Sequence, residues 1–164
     1  MSKILLVEDN PDAVKRIIRY INKIFAELDV ISFPEAGDAL QYAKVNDISL
    51  FILDIQLEDY KGTNLAKQLR ELPEYKYTPI IFETALAGEE LSAYRDVKCY
   101  SFLVKPFGEE EFAAAFRDAL GLSKQMNQQA KTIQIEQKQF ILEYAAQDIA
   151  YIEAFGKKLV IHTI

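Results

Sequence analysis

Leu50-Phe51-Ile52-Leu53-Asp54 is a run of four large apolar side chains closed by a carboxylate. A strand with one wet face alternates apolar and polar residues. An unbroken apolar run reads instead as a strand covered on both faces, the arrangement of a parallel sheet between two layers of helices. The same signature recurs on either side of this stretch. Lys3-Ile-Leu-Leu-Val7 leads into Glu8 and Asp9, Pro79-Ile-Ile-Phe-Glu83 leads into Thr84, and Ser101-Phe-Leu-Val104 leads into Lys105 and Pro106. With a further run at 29–33, strands are placed at 3–7, 29–33, 50–54, 79–84 and 101–104.

The intervening segments carry a helical period. The first places Val14, Ile17, Ile18, Ile21, Ile24, Phe25 and Leu28 on one face, with Asn10 as its cap and Pro11 at its first position. The second offers Ala36, Ala39, Leu40 and Ala43, and the third Leu65, Leu69 and Leu72 before Pro73 stops it. A fourth, near 89–97, is short and weakly patterned. The fifth shows Phe112, Ala115, Phe116, Ala119 and Leu120 and is expected to end at Gly121. Five strands alternating with five helices imply right-handed crossovers and a doubly wound α/β sheet. In such a sheet the ligand crevice lies outside the carboxyl ends of the strands, and each polar group that follows an apolar run sits at such an end.

The chemistry follows from that placement. Glu8, Asp9 and Asp54 would repel one another unless a cation neutralises them, and hard oxygen ligands suit Mg²⁺. A carboxylate placed like Asp54 can attack phosphorus and form an acyl phosphate. The Thr84 hydroxyl can donate to a phosphoryl oxygen, and Lys105 can pair with both a carboxylate and a phosphoryl group. Pro106 makes the Lys105–Pro106 bond a candidate cis peptide. Each residue alone is commonplace at the end of a strand; their joint occurrence points to a divalent cation and a phosphoryl group.

Composition narrows the classes. Half of the 164 residues are hydrophobic and 27% are charged, a globular balance rather than a disordered one. No apolar run reaches the ~18 residues of a membrane span. The start goes directly into a strand with no secretory pattern, and the single Cys99 has no internal partner, so a cytoplasmic protein without membrane attachment is expected. The net charge of −6 is uneven: residues 1–122 hold 14 Lys and Arg against 21 Asp and Glu, whereas 123–164 hold five lysines against four acids. An acidic body repels phosphate backbones, so the first part is not expected to hold nucleic acid.

Residues 123–132, Ser-Lys-Gln-Met-Asn-Gln-Gln-Ala-Lys-Thr, break the pattern and form either a linker or an extension of the last helix. The period then changes to that of strands, at 133–136, 139–144, 149–155 and 158–163, with turns at Gln137-Lys138 and Gly156-Lys157. So few residues leave edges and apolar faces uncovered, and the segment reads as the opening of a second, all-β domain whose remainder is missing.

Residues 1–122 resemble the receiver domain of bacterial two-component response regulators. The stretches that carry the resemblance are ILLVEDN (4–10), LFILDIQL (50–57), ETA (83–85) and FLVKPF (102–107), with Gly62 eight residues after Asp54. The resemblance implies a flavodoxin-like sheet of order 2-1-3-4-5. It implies that Asp54 is the phosphoacceptor for a sensor histidine kinase. It further implies that Glu8, Asp9, Asp54 and the Gln56 backbone carbonyl bind Mg²⁺, that Thr84 and Lys105 contact the phosphoryl oxygens, and that Thr84 and Phe102 form the switch. Some positions depart from the common pattern: Glu8 is longer than the usual Asp, Glu58 stands where Pro is frequent, and Phe102 lacks the hydroxyl of Tyr. Leu86 is expected beside the crevice, shielding the acyl phosphate from water. Residues 148–163 are similar to the opening of a LytTR-type DNA-binding domain, which places 133–164 as a partial β domain and Lys157 and Lys158 in a loop that could face promoter DNA.

The function this implies is Mg²⁺-dependent phosphoryl acceptance on Asp54, which switches the Thr84/Phe102 face and so controls homodimerisation and a transcriptional output. The alternative is a stand-alone receiver that works by protein contact without DNA. The chain is not expected to be an enzyme beyond its own phosphorylation and dephosphorylation. A phosphatase of the haloacid-dehalogenase type needs an Asp two residues after the nucleophile, where Gln56 stands. No Gly-x4-Gly-Lys-Ser/Thr phosphate loop is present.

Overall fold

A computed structural model describes residues 3–58, 60–85, 97–129, 132–137, 140–156 and 158–163. Five parallel strands, β1 (Lys3–Val7), β2 (Asp29–Phe33), β3 (Leu50–Asp54), β4 (Ile80–Thr84) and β5 (Ser101–Val104), form one sheet in the order β2-β1-β3-β4-β5. The helices among the described residues are α1 (Pro11–Ile24), α2 (Ala36–Ala43), α3 (Gly62–Glu71) and α4 (Glu109–Gln129). The doubly wound sheet expected from the apolar runs is present, in the flavodoxin-like order that the resemblance implies. The helix expected near 89–97, apart from Val97, lies outside the described residues, as do Leu86 and Lys157.

Alternation along the strands builds two cores. Leu5, Val7, Phe51, Leu53, Ile80 and Phe82 point to one face and pack with Ala39 and Ala43 of α2 and Leu65 and Leu69 of α3. Ile4, Leu6, Leu50, Ile52, Ile81 and Leu103 point to the other and pack with Ile17 and Ile21 of α1 and Phe112 and Phe116 of α4. All five residues of β3 are buried, as a central strand covered on both sides requires. Tyr75, in a short 3-10 turn, donates its buried hydroxyl to the carbonyls of Ala43 and Asn46, tying the loop after α2 to the core.

Three helix ends differ from the periodic reading. α1 stops at Ile24; Phe25 is extended (φ −146°, ψ 107°), so Phe25 and Leu28 lie beyond the helix, and Tyr20 fills the buried stripe instead. Leu72 is likewise extended, because a residue before proline is held out of the helical region. α4 runs through Gly121 to Gln129, so that glycine is no terminus. Nothing lies within 4 Å of where a Gly121 Cβ would be, and the Leu-Ser-Lys-Gln-Met sequence after it suits a helix.

The chain divides into two compact units, Met1–Ser123 and Lys124–Ile164. In the second, β6 (Thr132–Gln137) pairs antiparallel with β7 (Phe140–Ala145), and β8 (Ile149–Phe155) pairs antiparallel with β9 (Lys158–Thr163). Gly156, at the turn of the second pair, takes the left-handed conformation (φ 59°) that its missing Cβ makes cheap. His162 stacks on Tyr151 at 4.2 Å between ring centres, and its Nε2 lies 2.9 Å from Glu153 Oε2, a structural environment for the chain's one histidine.

Candidate functional site

The carboxyl ends of β1, β3 and β5 surround a cleft of about 490 Å³ lined by Glu8, Asp9, Asp54, Lys105, Pro106 and Arg16 among others. The parallel register places them there: Val7 is opposite Leu53, so Glu8 and Asp54 leave neighbouring strands at one level. Asn10 accepts from the backbone N–H groups of Asp12 and Ala13, which starts α1 immediately after the acidic pair. Behind Asp54 the chain must turn tightly. A Cβ on Gly62 would lie 1.9 Å from the Asp54 carbonyl oxygen, so only glycine fits where α3 begins.

Carboxylate oxygens of Glu8, Asp9 and Asp54 lie within 4.8 Å of one another. Each acid is held. Glu8 Oε1 accepts from the Asn10 N–H at 3.0 Å, Asp54 Oδ1 from the Gln56 N–H at 2.9 Å, and Asp9 Oδ2 from the Glu58 N–H at 2.8 Å. The Lys105 ammonium donates to Glu8 Oε2 at 2.5 Å and to Asp54 Oδ2 at 2.7 Å. The Lys105–Pro106 peptide bond is cis. This donor set fits a small hard cation: octahedral ligation of Mg²⁺ needs oxygens roughly 3–4 Å apart, and three carboxylates already converge.

The side chains of three other candidates lie outside the lining of the cleft. Gln56 is exposed beside Asp54 in a loop that returns to Lys61. Thr84 is fully buried at the end of β4, and its carbonyl accepts from the Lys105 N–H at 2.7 Å. Phe102 is half-buried on the α2/α3 side of the sheet, its ring 6.5 Å from that of Phe82. By strand alternation Thr84 shares that side with Phe102, whereas Lys105 shares the other with Leu103.

Two residues of the site escaped the sequence reading. Glu83, in register with Asp54, is completely buried. Among the described residues, the buried side-chain groups without a hydrogen-bond partner are both Glu83 carboxyl oxygens and Arg16 Nε. Burial pushes the Glu83 carboxyl up to about 8; Lys105 and Arg16 oppose the shift, and Glu8 and Asp54 add to it. Burial alone would lower Lys105, but the charge of Glu83 and the hydrogen bonds to Asp54 and Glu8 hold it above the ordinary lysine value. The signal for Glu83 was a charge inside an apolar strand; Arg16 stands outside the apolar stripe of α1 and gave none. Cys99 is buried and unbridged, and burial pushes its thiol up to about 11, an inert thiol.

Residues 4–117 match the family described as the response regulator receiver domain. Among curated proteins, the transcriptional regulatory protein SrrA of Staphylococcus aureus is 31% identical over 116 residues, covering 68% of this chain and 45% of SrrA. The cyclic di-GMP phosphodiesterase response regulator RpfG of Xanthomonas campestris is 29% identical over 137 residues, 82% of this chain and 36% of RpfG. The response regulator Rre1 of Synechocystis is 27% identical over 162 residues, 98% of this chain and 67% of Rre1. The chain thus spans between about a third and two thirds of these relatives. Two solved structures share the fold, each with a TM-score of 0.65 and 24% identity over 73% of this chain and 98% of the other. One is the chemotaxis response regulator CheY4 of Vibrio cholerae; the other is the receiver domain of the sensor histidine kinase PA1611 of Pseudomonas aeruginosa, with a magnesium ion coordinated in its active-site cleft.

Proposed function

This chain belongs to the response regulator receiver family, and from that premise we propose that Asp54 accepts a phosphoryl group from the phosphohistidine of a sensor kinase. An Asp54 carboxylate oxygen forms the new P–O bond, the P–N bond to the kinase imidazole breaks, and the imidazole leaves with a proton. The observation that carries the reading is the bridge from the Lys105 ammonium to Asp54 and Glu8, with the Asp9 carboxylate in the same cluster. Glu8, Asp9, Asp54 and the Gln56 carbonyl would hold Mg²⁺, which when bound offsets the charge gathering on the transferring group. Lys105 then pairs with a phosphoryl oxygen, and the Thr84 hydroxyl, on moving inward from the α2/α3 side, donates to another.

The proposed output is a switch. Thr84 and Phe102 lie on one side of neighbouring strands, so an inward move of Thr84 opens room that Phe102 fills, repacking the surface beside β5 for homodimerisation. A shift from mostly inactive to mostly active needs about 5 kcal/mol of preference, within reach of several charge-assisted contacts. We propose a cytoplasmic regulator; similarity to SrrA supports a transcriptional output, with promoter DNA met through a LytTR-type domain begun by β6–β9. No described helix is long and apolar enough to cross a membrane. A phosphatase reading is disfavoured because Gln56, two residues on from Asp54, carries no acid.

Beryllofluoride with Mg²⁺ tests the reading by mimicking the acyl phosphate. Wild type should show Mg²⁺-dependent amide shifts at Thr84, Phe102 and Lys105, and Asp54→Asn should show none. Identical shifts in the variant, or none in wild type, would refute it.

A further inference from the structure

Phosphoryl transfer leaves Glu83, in register with Asp54, unexplained. Its carboxyl is fully buried, both oxygens lack a hydrogen-bond partner, and it stands in register between Asp54 on β3 and Leu103 on β5. Lys105 lies two residues beyond Leu103, so its side chain leaves the sheet on the same side as Glu83. The ammonium is at present held by Glu8 Oε2 at 2.5 Å and Asp54 Oδ2 at 2.7 Å. Glu8 and Asp54 belong to the triad that would ligate a divalent cation, and a +1 ammonium and a +2 ion drawn to the same carboxylates repel one another. Entry of the cation therefore weakens the hold of Glu8 and Asp54 on Lys105, and a half-buried ammonium gains from another partner.

We infer that Glu83 is a positioning residue that receives the Lys105 ammonium when a divalent cation displaces it from Glu8 and Asp54. The inference rests on the reading of the acidic cluster as a cation site. Two observations support it beyond proximity. Glu83 raises Lys105 and Lys105 opposes the rise of Glu83, as expected of opposite charges on one side of the sheet. A buried carboxyl without a partner is also a standing destabilisation, understandable where a partner arrives in a second state. Arg16, whose Nε is likewise unpaired, is the competing donor.

A thermodynamic cycle on Mg²⁺ affinity, measured by titration calorimetry on the whole chain, tests this. The variants are Glu83→Gln, Lys105→Met and the double variant, with thermal unfolding confirming that each is folded and Lys105→Gln replacing Lys105→Met if the latter does not fold. Glu83→Gln should weaken Mg²⁺ binding about five-fold in the presence of Lys105 and leave it unchanged in its absence, because coupling of this size marks direct partners. An equal loss in both backgrounds would mean that Glu83 acts only as a fixed charge, and the inference would be overturned. It would also be overturned if Arg16→Met, rather than Lys105→Met, abolished the effect, or if Glu83→Gln had none. Absence of Mg²⁺ binding in wild type would instead remove the cation-site reading, and this inference with it.

Discussion

At the carboxyl ends of β3 and β4 two acidic side chains stand side by side in register, in opposite conditions. Asp54 keeps slight access to the cleft, accepts from the Gln56 N–H and from the Lys105 ammonium, and joins two other carboxylates. Glu83 has no access to solvent and no hydrogen-bond partner. Both follow apolar runs, both are carboxyls, and their Cα atoms are paired. What separates them is the chain that follows. After Asp54 the loop turns back so that its own N–H groups and Gly62 close on the acid, whereas Glu83 still lies inside its strand, between strands on either side. An acid at the last position before the turn is bound from outside the sheet; one residue earlier on the neighbouring strand, it is entombed.

The first way to break this contrast is to spoil the turn behind Asp54. Gly62→Ala would set a Cβ 1.9 Å from the Asp54 carbonyl oxygen, contact with backbone rather than with a movable side chain. The start of α3 has to shift, with a loss of about 3 kcal/mol measured as a lower urea midpoint at unchanged slope. Asp54 should lose the geometry that Lys105 and the Gln56 N–H now impose, so phosphoryl acceptance from a small phosphodonor should fall together with stability.

The second sharpens the contrast by removing the acid that lacks a partner. Glu83→Leu keeps the size of the side chain and deletes two unsatisfied oxygens, which should stabilise the cation-free protein by roughly 1–3 kcal/mol at pH 8. The gain depends on pH. The Glu83 carboxyl is raised from 4.5 to about 8 in the fold, so between those values the folded protein keeps a proton that the unfolded chain gives up. Stability therefore declines as pH rises through that window, and a carboxyl of ordinary, depressed pKa would act in the opposite sense. Thermal unfolding from pH 5 to pH 8 should show this decline in wild type and a flatter profile in Glu83→Leu. Equal profiles would mean that Glu83 finds a partner in solution.

The same contrast explains what could be read beforehand. Strand positions were legible because β1, β3, β4 and β5 each carry an unbroken run of three or four apolar residues, a signal that needs no knowledge of neighbours. That Glu8, Asp9, Asp54 and Lys105 meet in one cleft followed from strand ends in a parallel sheet. The limits of α1 and α4 were not legible: Phe25 is apolar at helical spacing and yet extended, and Gly121 is a helix breaker by type and yet internal. Backbone conformation at such positions is decided by what packs around them. Glu83 and Arg16 were overlooked for the same reason. Their residue types are plain in the sequence, but the burial that gives them meaning comes from β3, β5, α1 and α4 closing together.

The smallest effect belongs to a pair that looks, by distance alone, like the centre of the cleft. Lys23 Nζ lies 2.7 Å from Glu109 Oε2, the separation of Lys105 from Asp54, and it joins α1 to α4. The side chains of Lys23 and Glu109 are 55% and 42% exposed, against 19% and 9% for Lys105 and Asp54. Water and salt screen the first pair, and its formation costs side-chain freedom on both partners. Lys23→Ala should therefore change stability by about 0.5 kcal/mol or less, and raised salt should erase even that. A loss several times larger would mean that distance rather than burial governs charge pairs in this protein. Glu83 would then be no more costly than any other acid, and the difference between the ends of β3 and β4 would lose its physical basis.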